Sequence, residues 1–275
     1  MLHALGVDPG PAGSLITADE FNQDGYWEQR PVVQLNDDLL RAQRGFASAP
    51  PRREHSWAVG PQSQQISALL SMFERPWFVK DPRMCLLLTP WQHAAGADGF
   101  PVVVTRDPRR VAASLHRRNG YGLEMGAALW ERYTHDLLTA LSGRASLSIR
   151  YERLVATPDR VIQELGAVAA DHVGDQSFRG RPRLAEAVGL VRPRAEVGDH
   201  ERIDVPLTES QNELYEIVTS LEGRRDAYTL PRLPAPSGRS QQILERRRRM
   251  LLVIDRPLRS NAGLRALGDR RALSH

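Results

Sequence analysis

The sequence predicts an α/β domain built on a parallel β-sheet flanked by helices, and three observations carry that expectation. Short apolar runs rich in β-branched residues alternate with segments of helical periodicity. One of them, "FPVVVT", is short, apolar and β-branched, as a central parallel strand covered by helices should be. The helical segments open on capping residues and prolines, which mark their starts.

The elements follow in order. Residues 9 to 20, "PGPAGSLITADE", are dense in turn formers and read as loop. "RPVVQLNDDLLRAQ" places Val32, Val33, Leu35, Leu39 and Leu40 at helical spacing, and residues 45 to 56 read as loop again. "PQSQQISALLSMFE" reads as a helix with Pro61 in its first turn. "PWFVK", residues 76 to 80, reads as a buried strand, "FPVVVT", 100 to 105, as a second, and "ASLSIRY", 145 to 151, as a third. Between the last two come "DPRRVAASLHRRN", with Asp107 as cap and Pro108 at its first position, and a longer helix over 123 to 141. "TPDRVIQELGAV" has Thr157 as cap and an apolar stripe at Val161, Ile162 and Leu165, and a further capped helix starts at Thr208. No internal repeat is visible.

The net charge of +4 over 275 residues hides an asymmetry. Residues 231 to 275 carry eleven arginines against Glu245, Asp255 and Asp269, a net +8, which leaves −4 on residues 1 to 230. "LPRLPAPSGRS", 230 to 240, reads as a linker, so the expected division is a domain over 1–230 and a basic, solvated, partly helical tail over 231–275. "RRRR", 246 to 249, has no stacking aromatics beside it, and a nucleic-acid partner is not expected. The single cysteine, Cys85, suits a reducing compartment. No apolar run is long enough to span a membrane and no signal pattern opens the chain, so the default expectation is cytoplasmic. The histidines and Cys85 show no zinc spacing, and no metal is expected.

In an open parallel sheet, ligands bind beyond the carboxyl ends of the strands. Lys80 ends one expected strand, and Arg106 ends another directly before a helix N-terminus, where phosphate is favoured. Ser114 lies two turns into that helix. Together they describe a polyanion site, the plain alternative being a solvated arginine beside an ordinary cap. Lys80 is also the only lysine among 37 Lys and Arg residues. A compact ammonium on a flexible stem is a different tool from a planar guanidinium.

"KDPRMCLLLTPW", "VVVTRDPRRVAASLHRRNG", "LWERYTHDLLTAL" and "SIRYERL" closely resemble bacterial sulfotransferases that use 3′-phosphoadenosine 5′-phosphosulfate (PAPS), and "ADEFNQDGYWEQRPVVQLND" resembles the region after their phosphosulfate loop. The similarity runs from about residue 2 to residue 222. The resemblance implies a P-loop NTPase-like sheet and transfer of a sulfuryl group from PAPS to a hydroxyl acceptor of unspecified class. It implies that Arg106 and Ser114 bind the 3′-phosphate and that Tyr151, in a "YE" similar to the family's "YED", lies near the adenosine. Arg153 stands where that motif has its aspartate. "KDP" resembles the segment of tyrosylprotein sulfotransferases whose lysine approaches the bridging oxygen, which makes Lys80 the donor to the leaving phosphate. The expected base is Glu28, with Glu20 second.

The family also opens with a strand and a Gly/Ser/Thr-rich loop holding a basic residue. Here "MLHALGVDPG" resembles the end of the helix that follows that loop, and "GPAGS", 10 to 14, lacks both the basic residue and the strand. The first strand and loop are therefore expected to be missing, through a start placed too far downstream or a decayed copy. The alternative expectation is a non-catalytic nucleotide-binding or interaction protein derived from a sulfotransferase. A P-loop phosphotransferase is disfavoured, because no GxxxxGK[ST] occurs.

Overall fold

A computed structural model of the chain describes residues 1–20, 22–23, 25–53, 61–96, 99–191 and 205–271. It is an α/β structure with a small mixed sheet in the order β1-β2-β3. β1 (Val102–Thr105) and β2 (Ser146–Arg150) are parallel, with Val103 opposite Ser148. β3 (Gly223–Arg225) runs antiparallel to β2. The expectation of an all-parallel sheet is corrected there. β3 is three residues long and follows α9 directly, so it returns along the exposed edge of β2.

The chain enters through α1 (Arg30–Ala42), α2 (Pro61–Leu70) and α3 (Met84–Ala95), whose apolar faces form one cluster around Leu40, Ile66 and Leu87. The crossover from β1 to β2 carries α4 (Pro108–Asn119) and α5 (Leu123–Leu141). α6 (Tyr151–Ala156), α7 (Pro158–Val173) and α8 (Arg181–Gly189) follow β2. α9 (Glu209–Ser220) precedes β3, and α10 (Gly238–Arg271) ends the described chain. Of the loop expected over 45 to 56, residues 54 to 56 lie outside the described residues.

Side-chain alternation assigns the two faces of the sheet. Leu147 and Ile149 of β2 pack against Val161, Ile162 and Leu165 of α7. Val103 of β1 packs with Leu138 and Leu141 of α5 and Leu214 of α9. The α7 layer stops at β2, so Val102 and Val104 remain 36% and 55% exposed on the same face. Residues 1 to 6 close a single helical turn: Val7 N–H reaches Leu2 O, Gly6 N–H reaches His3 O, and Gly6 takes φ +93° to complete the C-cap.

The segment 76–80 is not a strand of the sheet. It forms one isolated parallel bridge, Asp8 with Trp77, through Asp8 N–H to Pro76 O and Phe78 N–H to Asp8 O. The ladder cannot lengthen, because Pro9 has no N–H and residues 1 to 6 are turned back on themselves. Among the expected caps, Asp107 accepts from Arg109 N–H, and Thr208 with Gln211 forms a full capping box. Thr157 does not cap α7: its hydroxyl donates to Arg153 O in the last turn of α6, which runs straight into α7.

The basic tail is not a fully solvated appendage. Its helix docks on α5 through Leu244, which packs with Ala128 and Leu129. The docking is keyed by Glu131, 2% exposed, which accepts from Ser237 N–H (2.7 Å), Ser240 Oγ (2.5 Å) and Gln211 Nε2 (3.1 Å). The change in composition at residue 230 is therefore not a break in packing. No helix among the described residues is long and apolar enough to cross a membrane.

α4 and α5 approach closely because position 126 has no side chain. A Cβ on Gly126 would lie 2.6 Å from Ala112 Cα. Gly126→Ala is expected to destabilise the fold by about 1–3 kcal/mol in urea unfolding. Gly189→Ala in α8, where a Cβ meets nothing within 4 Å, should leave stability level or slightly raised.

Candidate functional site

Two pairs of side chains form the site, and each joins residues far apart in the chain. The first stands at the carboxyl ends of β1 and β2, which parallel pairing brings side by side. Arg106 follows β1, Tyr151 follows β2, and the guanidinium lies 4.4 Å from the centroid of the phenol ring. That cation–π contact holds the guanidinium at the meeting point of the two strand ends. Glu152 ties the same two strand ends together by accepting from Asp107 N–H at 3.3 Å. Asp107 in turn takes the first free N–H of α4 at 2.7 Å. The helix N-terminus is thus partly capped from within, and an anion here would rest chiefly on side-chain donors.

Arg153, at the place of the expected aspartate, bonds Glu164 of α7 and lies 3.4 Å from Glu222. Glu222 also holds Arg150 at 2.7 Å. The unexpected arginine therefore has its own carboxylates and takes nothing from Arg106. Tyr215 of α9 completes this end of the sheet. Burial, then the charges of Asp107 and Glu152, hold its phenol above the usual pKa.

The second pair is Glu28 and Lys80. Lys80 Nζ donates to Glu28 Oε1 at 2.5 Å across 52 residues of sequence. Glu28 is nearly enclosed, its side chain 10% exposed, whereas that of Lys80 is 46% exposed. Glu28 is held by its backbone: Ile16 N–H donates to Glu28 O, and the next residue, Gln29, donates through Nε2 to Pro9 O at 2.8 Å. Immediately before it, Trp27 takes φ +58°, a left-handed conformation unusual for a bulky residue, and its ring lies 5.2 Å from that of His3. Such strain, of order 1–3 kcal/mol, persists only where the surroundings impose it.

Lys80 is set by its neighbour. The carboxylate of Asp81 is fully buried, and every contact it makes orders the turn into α3. Asn36 Nδ2 of α1 donates to one oxygen at 2.9 Å; Arg83 N–H and Arg83 Nη1 donate to the other at 2.9 and 3.0 Å. Asn36 Oδ1 accepts from Trp91 Nε1 at 2.7 Å, and Arg83 Nε reaches Asp37 at 2.7 Å. The carboxylates of Asp81 and Asp37 outweigh burial and raise the Arg83 pKa further. Burial, reinforced by Asp81, pushes the thiol of the adjacent Cys85 up to about 12.

Ser114 is half-buried in α4 and makes no hydrogen bond among the described residues; Glu20 sits on an exposed loop. Neither joins a pair. Asp81, Asn36, Arg83, Trp27 and Glu152 were not anticipated as site residues. The buried "D" of "KDP" and the "N" of "QLNDD" were the available signals, since a polar residue on an apolar helical face requires a partner. No cluster of three or more metal-ligating side chains occurs among the described residues.

Asp81→Ala should cost about 3–5 kcal/mol in chemical unfolding, because it strands buried Asn36 and Arg83 together. A loss below about 1 kcal/mol would mean that the network does not hold the turn.

Comparison of the chain with family models, with curated proteins and with solved structures finds no match, so what this site can do has to be read from its own side chains.

Proposed function

We propose that the chain is a sulfotransferase-like protein of the P-loop NTPase-like class that binds PAPS and transfers its sulfuryl group to a hydroxyl acceptor. The observation that carries this reading is the direct contact of Glu28 and Lys80. The two had been singled out separately, as base and as donor to the leaving oxygen. A carboxylate and an ammonium in contact are what transfer of an anionic group to a hydroxyl requires at its two ends. The stacking of Arg106 on Tyr151 supports a nucleotide end to the same site.

PAPS would supply the sulfuryl group and an anionic leaving group. Glu28 accepts the acceptor's hydroxyl proton as its oxygen attacks sulfur. Lys80 donates a hydrogen bond to the phosphate oxygen that keeps the electron pair of the broken S–O bond. Arg106, with Ser114 in the next turns of α4, takes the 3′-phosphate, and Tyr151 offers its remaining surface to the adenine. The Glu28–Lys80 bond is the resting arrangement, in which each charge screens the other until substrates come between them.

A second reading, a non-catalytic nucleotide-binding or interaction protein, is favoured by one observation. Residues 12–14, in the "GPAGS" stretch, form a short 3₁₀ turn rather than a loop of converging N–H groups.

Calorimetric titration with 3′-phosphoadenosine 5′-phosphate and with AMP tests the nucleotide end. Arg106→Ala should cost about 1.5–3 kcal/mol for the first ligand and much less for the second. Equal losses would remove the 3′-phosphate role. The chemical end is tested by turnover of PAPS with a panel of hydroxyl acceptors. Lys80→Arg should lower kcat about 10²–10³-fold with nucleotide affinity nearly unchanged, because the fork cannot place a donor where the ammonium sat. An unchanged kcat makes Lys80 a bystander, and nucleotide binding without any turnover in the unaltered chain selects the second reading.

A further inference from the structure

Away from both pairs, a cavity of about 550 Å³ opens between α5, the first turns of α10 and residues 50–53. That volume suits a small organic ligand. Five guanidinium groups line it: Arg52, Arg53, Arg132, Arg248 and Arg249. Pro51, Ala128 and Leu244 give it apolar surface beside the polar Ser240, Gln241 and Gln242.

The positive charge exceeds what the local acids absorb. Arg52, Arg248 and Arg249 all converge on Glu245, whose carboxyl their bonds, Arg52 first, press down to about 2. Arg53 and Arg132 share Asp136, each through Nε alone, at 3.2 and 2.8 Å. Their four Nη groups have no acceptor among the described residues, although the side chains are only 31% and 15% exposed. Glu131, the third acid at the wall, is already committed to Ser237, Ser240 and Gln211. Burial, and then the charge of Arg132 against that of Asp136, leaves Arg53 with a lowered pKa; burial and Arg53 do the same to His135. Among the described residues, five arginines line this partly enclosed space beside Glu131 and Glu245, and two of them, Arg53 and Arg132, use only Nε in the contact with Asp136.

We propose that this cavity binds a phosphate monoester dianion with a compact apolar body. The forks of Arg53 and Arg132 take the phosphate oxygens, and Pro51, Ala128 and Leu244 cover the body. Two negative charges suit a wall that carries five guanidinium groups. A sulfate monoester has the same tetrahedral shape but a single charge, and should bind more weakly. The site uses none of Glu28, Lys80, Arg106 or Tyr151, so it stands or falls independently of the sulfotransferase reading.

Calorimetry of the full chain with phenyl phosphate, phenyl sulfate, inorganic phosphate and phenol tests the proposal. The expected result is one site for phenyl phosphate, at least about tenfold weaker binding for phenyl sulfate and for inorganic phosphate, and none for phenol. Arg53→Gln and Arg132→Gln should each weaken phenyl phosphate about tenfold or more, the effect of losing a charge-assisted fork. Gln241→Glu sets a carboxylate at the cavity wall on an exposed position of α10, and should weaken it as much without touching the core. Arg106→Ala should leave it unchanged. The proposal is overturned if phenyl phosphate does not bind, if phenol binds equally well, if Gln241→Glu binds as the unaltered chain does, or if Arg106→Ala abolishes binding. Should the arginine variants fail to fold, Gln241→Glu alone decides.

Discussion

The buried carboxylate of Asp81 is the constraint from which the rest of the site follows. A fully buried charge is tolerated only when paired and hydrogen-bonded, and here the partners come from two places. Asn36 belongs to α1, and Arg83 to the turn that opens α3. Satisfying one side chain therefore fixes α1 against the start of α3. Glu28 lies two residues before α1 and Lys80 one residue before Asp81, so the same bonds set the distance between them. Remove Asp81 and the ion pair would have only loop backbone to position it. The anchor is dry, whereas the pair it holds is half open to water on the lysine side.

The same division of labour recurs at Glu131. A buried acid whose acceptors are filled by Ser237, Ser240 and Gln211 locks α10 onto α5 and α9. Each spends its charge on joining elements that the chain separates widely.

Much of this was legible in the sequence, and the reason is locality. β1, β2 and the helices from Pro108, Leu123 and Glu209 were visible because period, cap and proline agree within each segment. Arg106 and Lys80 were singled out at the ends of expected strands, whereas Tyr151 and Glu28 came only from the resemblance to sulfotransferases. What sequence hid is non-local. "PWFVK" has the composition of a strand, but strand formation needs a neighbour, and Asp8 followed by Pro9 offers a single residue. α3 went unassigned because "MCLLLTPWQHAA" is apolar almost all round and carries Pro90, so no stripe marks it as helical. The tail looked solvated because Glu131 reads as a surface charge of α5 until the serines of α10 are seen to bind it.

Among the described residues β1 has one neighbour and one covered face, and this bears on how the domain opens. Its partner β2 lies some 45 residues on, so pairing must close a long loop that has first folded into α4 and α5. The strand is thus the last to gain protection and the first to lose it, the low-stability end of a graded opening. Arg106 rides on its end. When β1 lifts, the guanidinium leaves Tyr151, while Glu28, Lys80 and their dry anchor stay in place. An anion held by Arg106 and the elements beyond β2 would then act as a clasp across the β1–β2 seam, and the slowing of amide exchange over Val102–Thr105 would measure how firmly it closes.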